Sequence, residues 1–268
     1  MPQQGFSFAS VVLSYFLVGG GIFSAMLVTA VAKISGEIPS YVMMAAGAFV
    51  GGFIAARASR GTTIIEPAIG AIAVILTIVG LAAGTAIGQL LWRVSPGETV
   101  KFVALMGGLA AGGAISGAFL SEKLLGEATL SSGPWILYTA FATFGACLLA
   151  TVFGSVLVAG SGTAETASAD SIGKALLIGI AAGCFVAGIA VGASARARPL
   201  FAAFLGSALG TAGFAYMISQ AATAGQVGGG EAMSVIGVFA VGGGIATLIG
   251  ALIGWAAIGK KQASQPAA

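Results

Sequence analysis

"AAGAFVGGFIAARASR", residues 45–60, returns as "AAGCFVAGIAVGASAR" at 181–196. Both stretches are apolar, spotted with glycine and closed by an arginine, and they stand 136 residues apart in a chain of 268. A phrase repeated at about half the chain length points to a duplicated plan, and its apolar character says what kind.

The whole chain shares that character. It is 58% hydrophobic and 7% charged and carries 44 glycines, whereas globular domains are roughly 25% charged. Water is therefore not its main solvent, and the membrane class is indicated before any motif is read. The net charge of +3 is small and its basic residues are scattered, which argues against a nucleic-acid surface, since that needs a clustered basic patch. Cys147 and Cys184 both fall in apolar runs and read as small buried hydrophobes in preference to a disulfide or a metal pair. The opening "MPQQGFSF" has no basic segment ahead of its apolar run, and that run exceeds the 7–15 residues of a signal-peptide core. The first hydrophobic segment is expected to be retained.

Crossing a hydrocarbon layer about 30 Å thick takes about 20 helical residues, and lipid offers an unpaired backbone no partner. The apolar runs lack the alternation of barrel strands, so they are expected to be helices. Eight spans are expected, at 9–32, 39–56, 63–92, 100–120, 135–160, 174–194, 200–221 and 232–258. The breaks between them carry nearly all the charges. Trp92, Trp135, Tyr138 and Trp255 stand toward span ends, where amphipathic rings favour the headgroup level.

The quoted phrase is the second span of each half and leads each time through an arginine-containing turn into a third. A weaker echo joins "LAAGGAISGAFL" at 109–120 to "FAVGGGIATLIG" at 239–250, setting the fourth span against the eighth. The fold expected is thus an all-α integral membrane protein of two four-helix repeats, 1–128 and 129–268, forming one membrane domain. Four crossings return the chain to its starting side, so the repeats are parallel and related by an axis along the membrane normal. One side would carry Arg57, Arg60, Lys123, Arg196, Arg198, Lys260 and Lys261, and the other Lys33, Arg93, Lys101 and Lys174. The positive-inside rule then places both termini in the cytoplasm.

The glycines have a reason in this setting. Lipid tails are as apolar as Leu, so helices in a bilayer associate by close packing, and small residues four apart let backbones approach. Faces of this kind run through Gly47, Gly51 and Ala55, with Gly52 a further packing position, through Gly80, Gly84 and Gly88, through Gly108/Gly112 and Gly113/Gly117, through Gly179/Gly183 and Gly188/Gly192, and through Gly250/Gly254. They read as glycine-zipper contacts of a compact bundle. Eight helices cannot turn every such face inward, so some are candidates for joining copies of the chain or other membrane subunits. "GGFIAAR" at 51–57 resembles small four-helix bacterial membrane proteins. The resemblance carries no known role and no residue assignment, and a bacterial cytoplasmic membrane is the setting expected.

Chemistry has few places to reside. The chain has no His and no Asn, which removes His-dependent triads, imidazole metal sites and N-glycosylation acceptors. No glycine run has phosphate-loop spacing, and the breaks are too short for an extramembrane catalytic domain. No enzyme activity, cofactor or metal is expected. The one acid placed inside a span is Glu66, in "RGTTIIEPAIG", immediately before Pro67, while the matching span opens "RARPLFAAFLG" with Arg198 before Pro199. Three roles are open for Glu66: pairing with Arg57 or Arg60 at the interface, bridging to Arg198 across the axis between the halves, or coupling an ion, because intramembrane acids are costly and often functional. At 30 residues the third span, 63–92, exceeds the bilayer and must tilt, protrude or break at its glycines. The reading favoured is a non-enzymatic, structural or assembly protein that packs in the bilayer against itself or other membrane subunits. The alternative is a small ion or solute transporter that uses Glu66, with a path between the repeats.

Overall fold

The architecture was obtained as a computed structural model, which describes residues 6–34, 36–59, 64–83, 93, 95–125, 132–160, 169–195, 199–222 and 229–259. Within them the chain forms eight α-helices: α1 (Phe8–Val31), α2 (Glu37–Ala58), α3 (Ile65–Ala83), α4 (Pro96–Leu125), α5 (Ser132–Gly160), α6 (Ala169–Ser194), α7 (Leu200–Ala222) and α8 (Gly229–Gly254). A π-helical turn, Trp255–Gly259, extends α8. No strand occurs among the described residues. Seven of the helices are long and apolar enough to cross a bilayer, and α3 contributes a shorter apolar helix, Ile65–Gly80. Phe102, Phe119, Ile178, Phe201 and Val238 are among the large apolar side chains left exposed on the outer surface. In water such a surface would drive aggregation, and in lipid it is simply solvated. The chain is a multi-pass integral membrane protein.

Helix ends follow local chemistry. The Ser7 hydroxyl caps α1 by accepting the Ser10 N–H at 3.4 Å, as a short oxygen-bearing side chain does at an N-cap. At the other end of α1, Lys33 takes φ 53° and the Ile34 N–H returns to the Thr29 carbonyl at 3.0 Å, a left-handed stop. Pro67 and Pro96 lie in the first turns of α3 and α4, where a missing N–H costs nothing. Helix α3 is described to Ala83, residues 84–92 lie outside the described residues, and α4 and α5 are the long helices at 30 and 29 residues. Helix α4 runs about 45 Å at 1.5 Å per residue, and its first turn carries an exposed Lys101–Glu98 ion pair at 2.7 Å.

Four helices ring each half. In the first, α1 packs on α2 and α3, and α2 and α3 both pack on α4; in the second, α5 packs on α6 and α7, and those two on α8. Helices α1 and α5 join the halves, with α1 also touching α6. Three buried clusters result. One spans the junction through Leu13, Leu17, Ala55, Trp135, Ala187 and Val191; one fills the first half around Val18, Ile22, Val74 and Ala114; and one fills the second around Cys147, Ile180, Cys184 and Phe214.

Many of these contacts are backbone to backbone. A methyl group at Gly52 would stand 2.5 Å from Ala114 Cα, and one at Gly188 would stand 2.9 Å from Thr247 Cα; in each case the same residue's carbonyl oxygen is closer still. At Gly47 it would meet the Gly21 carbonyl, at Gly51 it would reach Val18 Cα at 2.5 Å, and at Gly192 it would strike the Ala251 carbonyl. Gly183 is looser, 3.2 Å from the Ala146 oxygen. At Gly80, on the exposed side of α3, no atom of the described residues lies within 4 Å of the missing Cβ. Gly84 and Gly88 lie outside the described residues.

Candidate functional site

The intramembrane acid is the natural starting point. Pro67 favours a helix start at this point, and Glu66 stands in the first turn of α3, where the helix dipole favours a negative charge. Glu66 and Pro67 are both among the fully buried side chains, Glu66 with 0% exposure. The side chain does not snorkel outward. The Ser7 N–H donates to Glu66 Oε1 at 2.7 Å, and the Ser59 hydroxyl donates to Oε2. Ser7 caps the start of α1, and Ser59 is the C-cap of α2, its own N–H returned to the Ala55 carbonyl at 2.8 Å. One carboxylate thus ties together the start of α1, the end of α2 and the start of α3. Charge-assisted bonds of this type are the strong ones, and burial without them would be prohibitive.

Arg57 stands in the last turn of α2, half-buried, and its guanidinium hydrogen-bonds Tyr138 of α5. Tyr138 in turn meets Trp135 edge-on, ring centroids 5.6 Å apart. Arg57 therefore links the first half to the second through a phenol, a partner that charge counting did not suggest. Arg60 and Arg198 lie outside the described residues. Ser7, Ser59 and Tyr138 are the site residues that sequence reasoning missed. Ser59 is seven positions from Glu66 in the sequence, and the two meet where the end of α2 comes beside the start of α3.

A second polar group was not visible in the sequence. Thr139 and Thr143 of α5, Ser207 and Thr211 of α7, and Thr247 of α8 are each completely buried. The Thr139 hydroxyl donates to the Trp135 carbonyl, Thr143 to that of Thr139, and Thr211 to that of Ser207. Thr247 crosses to the Cys184 carbonyl of α6 at 3.1 Å and lies 2.7 Å from the Ser207 hydroxyl. Ser207 also stands 2.9 Å from the Gly243 carbonyl of α8. The hydroxyls are engaged by backbone carbonyls, and the result is a hydrogen-bonded seam joining α6, α7 and α8.

On the outer side of the first half, α2 and α4 leave an open groove of about 460 Å³ lined by residues that include Ala45, Phe49, Gly108, Gly112 and Ser116. Among the described residues no atom lies within 4 Å of a Cβ built at Gly107, Gly108 or Gly112. Among the described residues no three His, Cys, Asp or Glu side chains converge as a metal site would require. The chain matches no family model, no curated protein and no solved structure, so what it does is argued from its own geometry.

Proposed function

We propose that the chain is a structural or assembly subunit of a bacterial cytoplasmic membrane, non-enzymatic and built from two parallel copies of a four-helix unit, 1–128 and 129–268. The internal repeat is supported by contacts that recur in register. Gly70 meets Ser14 and Tyr15 of α1 as Gly206 meets Thr139 and Ala140 of α5, and Gly117 meets Phe49 as Gly250 meets Phe185. Gly52, Gly70 and Phe49 each stand 136 residues before Gly188, Gly206 and Phe185, while the matched positions are 125 apart on α1 and α5 (Ser14 and Thr139) and 133 apart on α4 and α8 (Gly117 and Gly250). Between the halves the contact is reciprocal: a Cβ at Gly20 would meet the Phe141 carbonyl at 2.9 Å, and one at Gly145 would meet the Phe16 carbonyl. Such exchange, residue i on j and j on i, is what a twofold relation demands. In this register Glu66 corresponds to Ala202, which makes Arg198 a poor counterpart despite its proline.

The observation that carries the structural reading is the division of the glycines into two sets. One set, with Gly47, Gly51, Gly52, Gly188 and Gly192, seats a neighbouring backbone; the other, with Gly108 and Gly112 and continued by Ser116, opens outward beside the groove. A glycine in a helix interior costs about 1 kcal/mol relative to Ala in water, and small residues four apart are a helix-docking face in lipid. The outward set has a use only when another helix arrives, and a second copy of the chain is the partner proposed. The transporter alternative is weakened by two features. Glu66 already has both oxygens engaged by helix ends, and α1 and α5 touch along the line where a path between the repeats would run.

The test is disulfide crosslinking in native membranes of Ser116→Cys, in a Cys147→Ala/Cys184→Ala background. A covalent dimer is expected, and Gly112→Leu should abolish it. Absence of a dimer, together with proteoliposome ion flux that Glu66→Gln eliminates, would replace the structural reading with the transporter.

A further inference from the structure

The chain contains two cysteines, 37 positions apart on different helices, and they touch. Cys147 Sγ of α5 lies 3.9 Å from Cys184 Sγ of α6, with both residues at 0% exposure and both thiols free. A buried residue touches about ten others, so two cysteines placed at random in such a chain would meet in about one case in 25. The hydrophobic side chains around the pair are Ile180, Phe214 and partly buried Phe144, Leu148, Met217 and Phe239, and the neighbouring hydroxyls of Thr151 and Thr247 bond the carbonyls of Cys147 and Cys184, not the sulfurs.

We propose that Cys147 and Cys184 are a redox pair, closed to a disulfide between α5 and α6 by an apolar two-electron oxidant dissolved in the bilayer, of the quinone class. In the step each thiol loses its hydrogen and one S–S bond forms; the two electrons and two protons pass to the quinone, which leaves as the quinol. The sulfurs must close from 3.9 Å to about 2.05 Å. A metal is the weaker occupant, because the apolar shell offers no third ligand and two thiolates there would be desolvated. The route is set by the same shell. Phe144, Leu148, Met217 and Phe239 are only partly buried, so one side-chain layer separates the sulfurs from lipid, and an ionic oxidant would have to enter that layer without its water. Closure would staple the second half of the bundle and register the oxidation state of the membrane as stability.

The reduced full-length protein in lipid vesicles would be exposed to a short-chain ubiquinone analogue, then denatured, labelled with a polymer-bearing maleimide and weighed intact. The expected result is joint loss of both labels, a mass lower by two hydrogens, a raised melting temperature and no crosslink between chains. Cys147→Ala should keep the Cys184 thiol fully labelled under the same exposure. Wild-type protein in which both thiols still label after quinone treatment would overturn the pair's redox role. Equally fast oxidation by external ferricyanide would overturn the lipid route.

Discussion

Gly52→Ala and Gly188→Ala should destabilise the protein, whereas Gly80→Ala should leave it unchanged or slightly more stable. The three substitutions are chemically identical, so local geometry alone decides the sign. A methyl at Gly52 falls 2.5 Å from Ala114 Cα, ordinary contact begins at 3.4 Å, and α2 and α4 must therefore part by the difference, 0.9 Å. A gap of 0.5–1 Å forfeits a quarter to a half of each 0.1–0.2 kcal/mol atom-pair attraction, so a seam of some 40 pairs loses roughly 2 kcal/mol. Overpacking penalties of about 1–3 kcal/mol agree. Against this stands the gain of replacing a helical glycine, at most about 1 kcal/mol, leaving a net loss of about 1–2 kcal/mol. At Gly80 only the gain survives, because nothing lies within 4 Å. Thermal unfolding in detergent, followed by far-ultraviolet circular dichroism, should show midpoints lowered by roughly 2–6 °C for the first two variants. If Gly52→Ala and Gly188→Ala melt with Gly80→Ala, the seams are not close-packed and the argument from missing Cβ atoms fails.

Other outcomes follow from the polar groups. Glu66→Gln presents one acceptor where two donors converge, so it should cost about 2–3 kcal/mol in chemical denaturation, with no ion flux in proteoliposomes to lose. Ser207→Ala and Thr247→Val should each cost about 0.6 kcal/mol and be coupled in a double-mutant cycle, because their hydroxyls lie 2.7 Å apart. In a cysteine-free background, Ser168→Cys should react with an impermeant thiol reagent added outside the cell and Ser264→Cys should not; the reverse pattern would invert the proposed orientation.

The helices among the described residues were legible because lipid leaves the backbone one economical solution, and composition alone places the chain in lipid. Their limits were less so: α4 and α5 run to 30 and 29 residues, beyond the expected spans 100–120 and 135–160, since apolar runs specify burial in the bilayer and not where a helix stops. Glycine spacing marks Gly52 and Gly188, which seat a neighbouring backbone, and equally Gly80, beside which no described atom lies within 4 Å, because a stripe of small residues says that a helix could approach and does not say which helix does. Glu66 was legible as an unusual residue and illegible as a site. Its partners are a backbone N–H 59 positions away and a hydroxyl across a turn, and neither leaves a mark in local sequence. The hydroxyl seam was hidden for the same reason, its members being scattered through three helices among equally plausible alanines.

Where the two halves differ bears on function more than where they agree. In the proposed register, Val18, Ala71, Ile75 and Ala114 of the first half, all buried, correspond to Thr143, Ser207, Thr211 and Thr247 of the second. Conversely, Ser59 and Glu66 correspond to Ala195 and Ala202, buried and apolar. The carboxylate cluster of the first half lies at the helix ends and the hydroxyls of the second lie in the middle turns of α7, while the first half also buries Ser14 and pairs Tyr15 with Thr77 at 3.2 Å. A permeation route along the axis between the halves would need polar groups from both halves at the same depth, and among the buried hydroxyls of the second half only Thr139 has a buried polar counterpart, Ser14. Each cluster is instead closed on itself, the carboxylate by two donors and the hydroxyls by backbone carbonyls, so each fastens helices where the other half relies on apolar packing. Under the proposed structural role, polar groups used in this way would hold the scaffold and leave the outward glycines of α4 as the surface through which it acts.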